Sequence, residues 1–130
     1  MPTGLINLRI YQLAKDLELS VHELTKQFPF DERYRSIDQL KRSSAAVANN
    51  VAEAYNKQSV KEKIHILRDI AICEAEETES NIRRCGEKGF VPIETADKVA
   101  TEYIKFKKST YVYIRFLRSQ TNKQTSRPVN

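Results

Sequence analysis

The sequence contains few of the residues that interrupt regular secondary structure. Its 130 residues include three glycines and four prolines, whereas a sheet of many short strands needs frequent turns built from these residue types. Hydrophobic residues still make up 40% of the chain, which is enough for one core in a chain of this length. These proportions favour helices arranged in a single domain.

Cysteines and long apolar runs are also scarce. The two cysteines, Cys73 and Cys85, fall in one predicted helix, where a rise of roughly 1.5 Å per residue separates them by about 18 Å. That distance excludes a disulfide between them, and we expect both thiols to be buried. Because the chain has neither a run of membrane-spanning length nor the apolar segment of a signal peptide, we predict a cytoplasmic protein without membrane contact.

Acidic residues are missing from the C-terminal part of the chain. Residues 103–130 hold seven Lys or Arg and no Asp or Glu, and the whole chain has a net charge of +5. Such a cationic end suits polyanionic partners, which include RNA, DNA and acidic protein surfaces. A solvated helix end whose charges complement its own dipole explains the same composition, so both interpretations stay open.

Apolar residues recur at steps of three and four in four separate segments. The stripes run from Ile6 to Phe28, Ile37 to Ala54, Ile64 to Cys85 and Ala96 to Leu117. The predicted helices cover about residues 5–27, 31–56, 60–86 and 92–120. Because short connections make sequential helices antiparallel, we predict an all-α, up-down-up-down four-helix bundle over residues 1–120. A polar, disordered tail is predicted at residues 121–130.

Residues with special backbone roles stand at the predicted helix ends. Pro29 ends the first helix. Ser59 and Glu62 have the spacing of a capping box at the start of the third helix. Gly86 or Gly89 supplies the left-handed residue that closes this helix.

No residue set for enzyme catalysis is visible in the sequence. It has no phosphate-binding glycine loop, nucleophile elbow or zinc-spaced Cys and His cluster. A di-iron bundle needs inward Glu side chains and two Glu-x-x-His motifs, and the chain does not supply that set. We therefore predict a protein that is not an enzyme and binds no metal or cofactor. His65 and Asp69, one helical turn apart, form the only candidate catalytic pair.

The fourth predicted helix carries a basic flank beside its apolar stripe. Its residues are Lys107, Lys108, Tyr111, Arg115 and Arg118. Lys and Arg can neutralise phosphates while a tyrosine ring stacks on a base, a combination used to bind single-stranded nucleic acid. This flank is the predicted nucleic-acid-binding surface.

The second predicted helix has a polar face turned away from its apolar stripe. This face contains Gln39, Arg42, Asn49, Asn50 and Glu53. Directional hydrogen bonds from such side chains suit a contact between protomers, so the face is the predicted interface of a homo-oligomer. Plain solvent exposure explains the same pattern.

Three sequence segments carry a family resemblance. They are Gln-Phe-Pro-Phe-Asp-Glu-Arg-Tyr at 27–34, Gln-Leu-Lys-Arg-Ser-Ser at 39–44 and Asn-Val-Ala-Glu-Ala at 50–54. In this order they resemble the four-helix-bundle family encoded in intervening sequences of bacterial 23S ribosomal RNA genes, and the resemblance spans about residues 5–118. It implies a closed ring, a pentamer. The family pattern places its Gln, Arg, Asn and Glu on Gln39, Arg42, Asn50 and Glu53.

Two functional hypotheses follow from the sequence. Bundle proteins related to this family serve diversity-generating retroelements as accessory subunits, which bind nucleic acid and the reverse transcriptase. The first hypothesis is a noncatalytic oligomeric scaffold that binds RNA or DNA through its basic surface. The alternative is a protein-interaction adaptor for an acidic or reverse-transcriptase-like partner, with only nonspecific nucleic-acid contact.

Overall fold

Four long helices make up most of the protein. The computed structural model describes residues 4–125, with side chains through residue 120. We number the helices α1 to α4. Their bounds are Arg9–Thr25 for α1, Asp38–Asn56 for α2 and Ile93–Thr125 for α4, while α3 consists of Val60–His65, a π-helical stretch Ile66–Ala71 and Ile72–Glu87. Short 3-10 turns lie at Leu5–Asn7 and Phe30–Glu32, and a π-helical turn, Arg33–Ile37, leads into α2.

Each helix packs against two others around one core. Helix α2 packs between α1 and α3, and α4 packs between α3 and α1. Helices α1 and α3 are therefore diagonal to each other, as are α2 and α4. The predicted all-α four-helix bundle is confirmed. Within residues 4–125, no helix is both long enough and apolar enough to cross a membrane.

The predicted apolar stripes supply nearly all of the core. Fully buried members of the later stripes include Leu40, Leu67, Ile82 and Phe106. The prediction for Ile6 is wrong, because its side chain is 69% exposed. Residues 5–7 form a 3-10 turn before α1 begins, and this turn carries Ile6 out of the stripe.

The predicted capping signals mark the ends of α3 correctly. Ser59 Oγ accepts a hydrogen bond of 3.0 Å from the backbone N–H of Glu62. Gly89 closes the helix with a φ of +82°, which glycine adopts without steric cost. Gly86 has a different role, because a Cβ built on it would lie 2.8 Å from the Cβ of Ala96. Its missing side chain lets α3 and α4 approach closely.

The last helix is longer than predicted. It continues to Thr125 instead of ending near residue 120, because the polar residues that weaken its apolar pattern include no glycine or proline before Pro128. This corrects the predicted disordered tail for residues 121–125. The rest of that tail, residues 126–130, lies outside the described residues.

The two thiols occupy different environments. Cys85 is buried, whereas Cys73 is exposed, and neither is in a disulfide. The expectation that both are buried is therefore wrong for Cys73. Cys73 follows the buried Ile72 and precedes the buried Ala75 in α3. The rotation of about 100° per residue turns its side chain away from the core.

Tyr103 places a polar hydroxyl group in the apolar core. Its side chain is 0% exposed, and its hydroxyl finds no hydrogen-bond partner among the described residues. A buried polar group without a partner costs roughly 1–3 kcal/mol, so Tyr103→Phe is expected to raise the free energy of unfolding by about 1 kcal/mol. Urea denaturation measures this change. Tyr111→Phe, at a ring that is 47% exposed, is the matched control and should leave stability unchanged.

Candidate nucleic-acid interface

The second half of α4 positions the predicted basic flank. Phe106, Thr110, Ile114 and Leu117 are buried and anchor the helix on the core. The residues between them therefore project outward at fixed spacings along a rigid helix. A surface built on such a helix is preorganised for a ligand with repeating charge.

Four of the five predicted nucleic-acid-binding residues lie on the open surface. They are Lys108, Tyr111, Arg115 and Arg118. Within the described residues, none of these three cations enters an ion pair, in contrast to Lys105 and Lys107 on the same helix. Their charges are therefore free to attract an anion from solution.

Lys107 does not join this group. Its amino group lies 2.8 Å from Glu79 Oε1 on α3, and the two side chains are only 19% and 14% exposed. Glu79 also meets Arg83 at 3.5 Å, and Arg83 meets Asp97 at 3.2 Å. These pairs connect α3 to α4, which gives Lys107 a structural position instead of the predicted phosphate contact.

A charged cluster on α3 borders the basic flank. Arg68 donates to both oxygens of Asp69 at 2.9 and 3.1 Å, and His65 Nδ1 lies 2.8 Å from Asp69 Oδ2. The hydrogen bond from Arg68, with a further one from His65, lowers the pKa of Asp69 to about 2. Asp69 also raises the pKa of Arg68. The stretch Ile66–Ala71, which contains Arg68 and Asp69, packs against α4, the helix that carries the basic flank.

This cluster also contains the candidate catalytic pair. Both members are open to solvent, with His65 and Asp69 side chains 62% and 42% exposed. Asp69 shares its carboxylate between the imidazole and the guanidinium of Arg68. It is therefore not reserved for orienting the imidazole, as the acidic member of a catalytic pair would be.

An aromatic groove lies on the other side of α4, a feature that the stripe analysis missed. It has a volume of about 320 Å³ and runs between the start of α1 and the second half of α4. Its walls are formed by Leu8, Arg9, Ile10, Ser109, Val112, Tyr113 and Phe116. The rings of Tyr113 and Phe116 stack with centroids 6.1 Å apart, and Phe116 is 51% exposed. The sequence signal for this groove was Val112 and Phe116, two apolar residues outside the buried stripe.

The predicted oligomer face on α2 is accessible along its length. Gln39, Arg42, Asn49 and Glu53 are exposed, and Asn50 is partly buried. Arg42 pairs with Asp38 at 3.1 Å, and Glu53 pairs with Lys57 at 3.8 Å. Because such exposed pairs contribute little stability, they leave the face available for other contacts.

Gln39 and Arg42 also line a polar groove between α2 and α3. This groove has a volume of about 490 Å³ and includes Tyr34 from the turn before α2 together with Glu74 and Glu77 from α3. Burial raises the pKa of Glu74, and the charge of Glu77 adds to the effect. Asn49, Asn50 and Glu53 lie farther along α2, so the structure brings only part of the predicted face into this groove.

Two exposed aromatic rings stand beside this groove. Phe30 and Tyr34 are 76% and 79% exposed. The guanidinium of Arg33 lies 4.3 Å from the ring centroid of Phe30 and 4.5 Å from that of Tyr34. We call Phe30, Arg33 and Tyr34 the aromatic knob. It falls within the segment that carried the family resemblance, but its exposure could not be read from the sequence.

Metal ligands do not converge in the part of the chain that the structure describes. Across residues 4–120, no three or more His, Cys, Asp or Glu side chains come together in an arrangement that could hold a metal ion. The charged clusters described above are ion pairs, some within one helix and others between α3 and α4.

Comparison with known proteins identifies the family. A crystal structure of a protein of unknown function from the S23 ribosomal protein family of Bacteroides thetaiotaomicron has the same fold, with a TM-score of 0.72 at 21% sequence identity. The alignment covers 81% of this chain and 97% of that one. No curated protein matches the sequence. The family described as 23S rRNA-intervening sequence protein matches residues 6–111, and the chain belongs to this family.

Proposed function

We propose that the protein is a noncatalytic oligomeric scaffold that binds RNA or DNA through the second half of α4. The observation that carries the proposal is the presence of three exposed cations without ion-pair partners among the described residues: Lys108, Arg115 and Arg118. They share one helix with two exposed aromatic rings, Tyr111 and Phe116. Cations interleaved with aromatic rings are typical of surfaces for single-stranded nucleic acid.

Each group has a defined role in this proposal. The ammonium and guanidinium groups neutralise phosphates and release their counterions. Tyr111 on one side of α4 and Phe116 on the other offer faces on which bases stack. Since stacking accepts every base and phosphate contacts carry no sequence information, the proposed binding has little sequence preference.

Two further observations support the proposal. The family is named after 23S ribosomal RNA, and the structural relative after a ribosomal protein family, which favours RNA as the polymer. The exposed His65–Asp69 pair already engages Arg68, which favours a role without catalysis. In the cytoplasm, where we expect the protein, such a scaffold meets RNA at high concentration.

The direct test is fluorescence anisotropy of a labelled single-stranded RNA and a DNA of the same sequence. Binding is expected to weaken steeply between 50 and 200 mM salt, because each neutralised single-strand phosphate contributes a slope of about −0.7 to log K against log salt. Binding that is insensitive to salt, or no binding of either polymer at low salt, would contradict the proposal. Light scattering on the same samples records the mass of the binding species.

The alternative is a protein-interaction adaptor for an acidic or reverse-transcriptase-like partner. The aromatic groove favours it, because Val112 and Phe116 are 55% and 51% exposed beside the basic flank, and exposed apolar residues rimmed by charge are typical of protein contacts. A pull-down of such a partner that is lost in Arg115→Glu/Arg118→Glu, while nucleic-acid binding persists, would favour this alternative.

A further inference from the structure

The first half of α3 carries cations that lie outside the proposed surface on α4. Within residues 60–71, Lys61 and Arg68 are exposed, and their spacing of two helical turns places them on one face of α3. Lys63 is engaged elsewhere, because its amino group donates to backbone carbonyls at the end of α2. Among the described residues Lys61 enters no ion pair, and Arg68 pairs with its neighbour Asp69.

This half of α3 lies beside the half of α4 that carries the basic flank. Both Val60–His65 and Ile66–Ala71 pack against α4. Three close approaches set the antiparallel register of the two helices: Gly86–Ala96, Arg83–Asp97 and Glu79–Lys107. Extended by equal numbers of residues, they place Arg68 at the level of about residues 112–118 on α4. Packed helices lie roughly 8–10 Å apart, so long side chains from both can reach one bound strand.

We propose that single-stranded RNA lies along the crevice between α3 and α4, where Lys61 and Arg68 bind phosphates together with the exposed cations of the basic flank. This inference rests on the proposed function and extends its surface to a second helix. The α4 side of the crevice is purely cationic, because no acidic residue follows Glu102 in the sequence. The α3 side has two acidic residues within 60–71, Glu62 and Asp69. Cations therefore outnumber carboxylates along the crevice.

Asp69 restrains this surface by engaging Arg68. Arg68 donates to the two oxygens of Asp69 at 2.9 and 3.1 Å, which uses two of the five N–H donors of a guanidinium and leaves three for a phosphate. Arg68 and His65 hold the pKa of Asp69 at about 2, so its carboxylate stays charged at neutral pH and repels a phosphate nearby. Because such an exposed pair contributes little stability, a phosphate can compete for the guanidinium.

Neutralising the two cations tests the role of α3. Fluorescence anisotropy with a labelled oligouridine, which does not pair with itself, measures the affinity of the full chain. Lys61→Gln/Arg68→Gln is expected to lower this affinity by about tenfold at low salt. It should also reduce the magnitude of the slope of log K against log salt by about 1.4, which is two contacts at about 0.7 each. Circular dichroism confirms that the variant remains folded.

A matched control makes the same change in net charge away from the crevice. Lys15→Gln/Lys41→Gln alters two exposed lysines on α1 and α2 and should keep most of the affinity. An equal loss in both double variants would overturn the inference, because net charge alone would then explain the effect of the α3 cations.

Removing the charge of Asp69 tests the restraint on Arg68. Asp69→Asn is expected to raise the affinity for oligouridine by about threefold, which is the effect of one unit charge at roughly 6 Å in water. Asp16→Asn, at an exposed position on α1, changes the net charge equally and should alter the affinity much less. Unchanged or weaker binding by Asp69→Asn would show that Asp69 does not restrain the surface.

The outcomes separate this inference from the proposed function. If Arg115→Glu/Arg118→Glu loses binding while Lys61→Gln/Arg68→Gln keeps the wild-type affinity and salt slope, the strand contacts α4 without α3. The inference is then overturned and the proposed function stands. If the wild type does not bind oligouridine at low salt, both fail together.

Discussion

Adding one methyl group at Gly86 is expected to destabilise the bundle by about 2 kcal/mol, the middle of the range for an overpacked core. In an exposed helix, alanine would be favoured over glycine by about 1 kcal/mol. Here the new Cβ would lie 2.8 Å from the Cβ of Ala96, and neither atom can rotate away. Helices α3 and α4 must therefore separate, which loosens the contacts that surround the buried Ile82 and Cys85. Thermal and urea denaturation of Gly86→Ala measure the loss.

A double-mutant cycle separates this clash from other effects. Ala96→Gly removes the atom that the new methyl group meets, so Gly86→Ala should cost far less in the Ala96→Gly background than in the wild type. The difference is the coupling energy between the two positions. If the cost is the same in both backgrounds, the close approach of α3 and α4 does not explain why glycine occupies residue 86.

Reversing two charges on α4 is expected to abolish most nucleic-acid binding. Arg115→Glu/Arg118→Glu removes two phosphate contacts and adds repulsion, so we expect affinity for single-stranded RNA to fall by on the order of 100-fold at low salt. The magnitude of the slope of log K against log salt should decrease by about 1.4, which is two contacts at about 0.7 each. Both side chains are exposed, so stability should change little.

The control for this prediction has the same change in net charge. Lys15 on α1 and Lys41 on α2 are exposed and lie outside the proposed nucleic-acid-binding surface on α4. Lys15→Glu/Lys41→Glu should retain most of the affinity, apart from a general electrostatic decrease. An equal loss in both double variants would mean that the net charge of the protein, and not the α4 surface, determines binding.

The fold could be predicted largely from sequence because its signals are local. Stripes with helical spacing, a serine cap and a glycine at the helix end each depend on residues within a few turns of one another. The errors occurred where local signals are weak. Ile6 fits the apolar spacing but lies in a 3-10 turn, and the polar residues after position 120 lie in a helix that no glycine or proline stops.

The candidate site was less predictable because it depends on contacts between helices. The exposure of Lys108, Arg115 and Arg118 follows from their position on a helical wheel, whereas the pairing of Lys107 with Glu79 depends on how α3 and α4 align. The aromatic groove combines residues from α1 and α4 that are far apart in sequence. The π-helical turn before α2 similarly determines where Tyr34 points, and no spacing rule indicates such a turn.

The two thiols differ in solvent accessibility, so their reaction rates can report on motions of the folded protein. Cys73 is accessible in the folded state and Cys85 is not, and burial also raises the pKa of Cys85, which lowers its thiolate fraction. A thiol reagent should therefore label the first cysteine rapidly and the second only during transient opening of the structure. Because Cys85 is next to Gly86 in α3, the rate at which Cys85 is labelled measures how often the contact between α3 and α4 opens under native conditions.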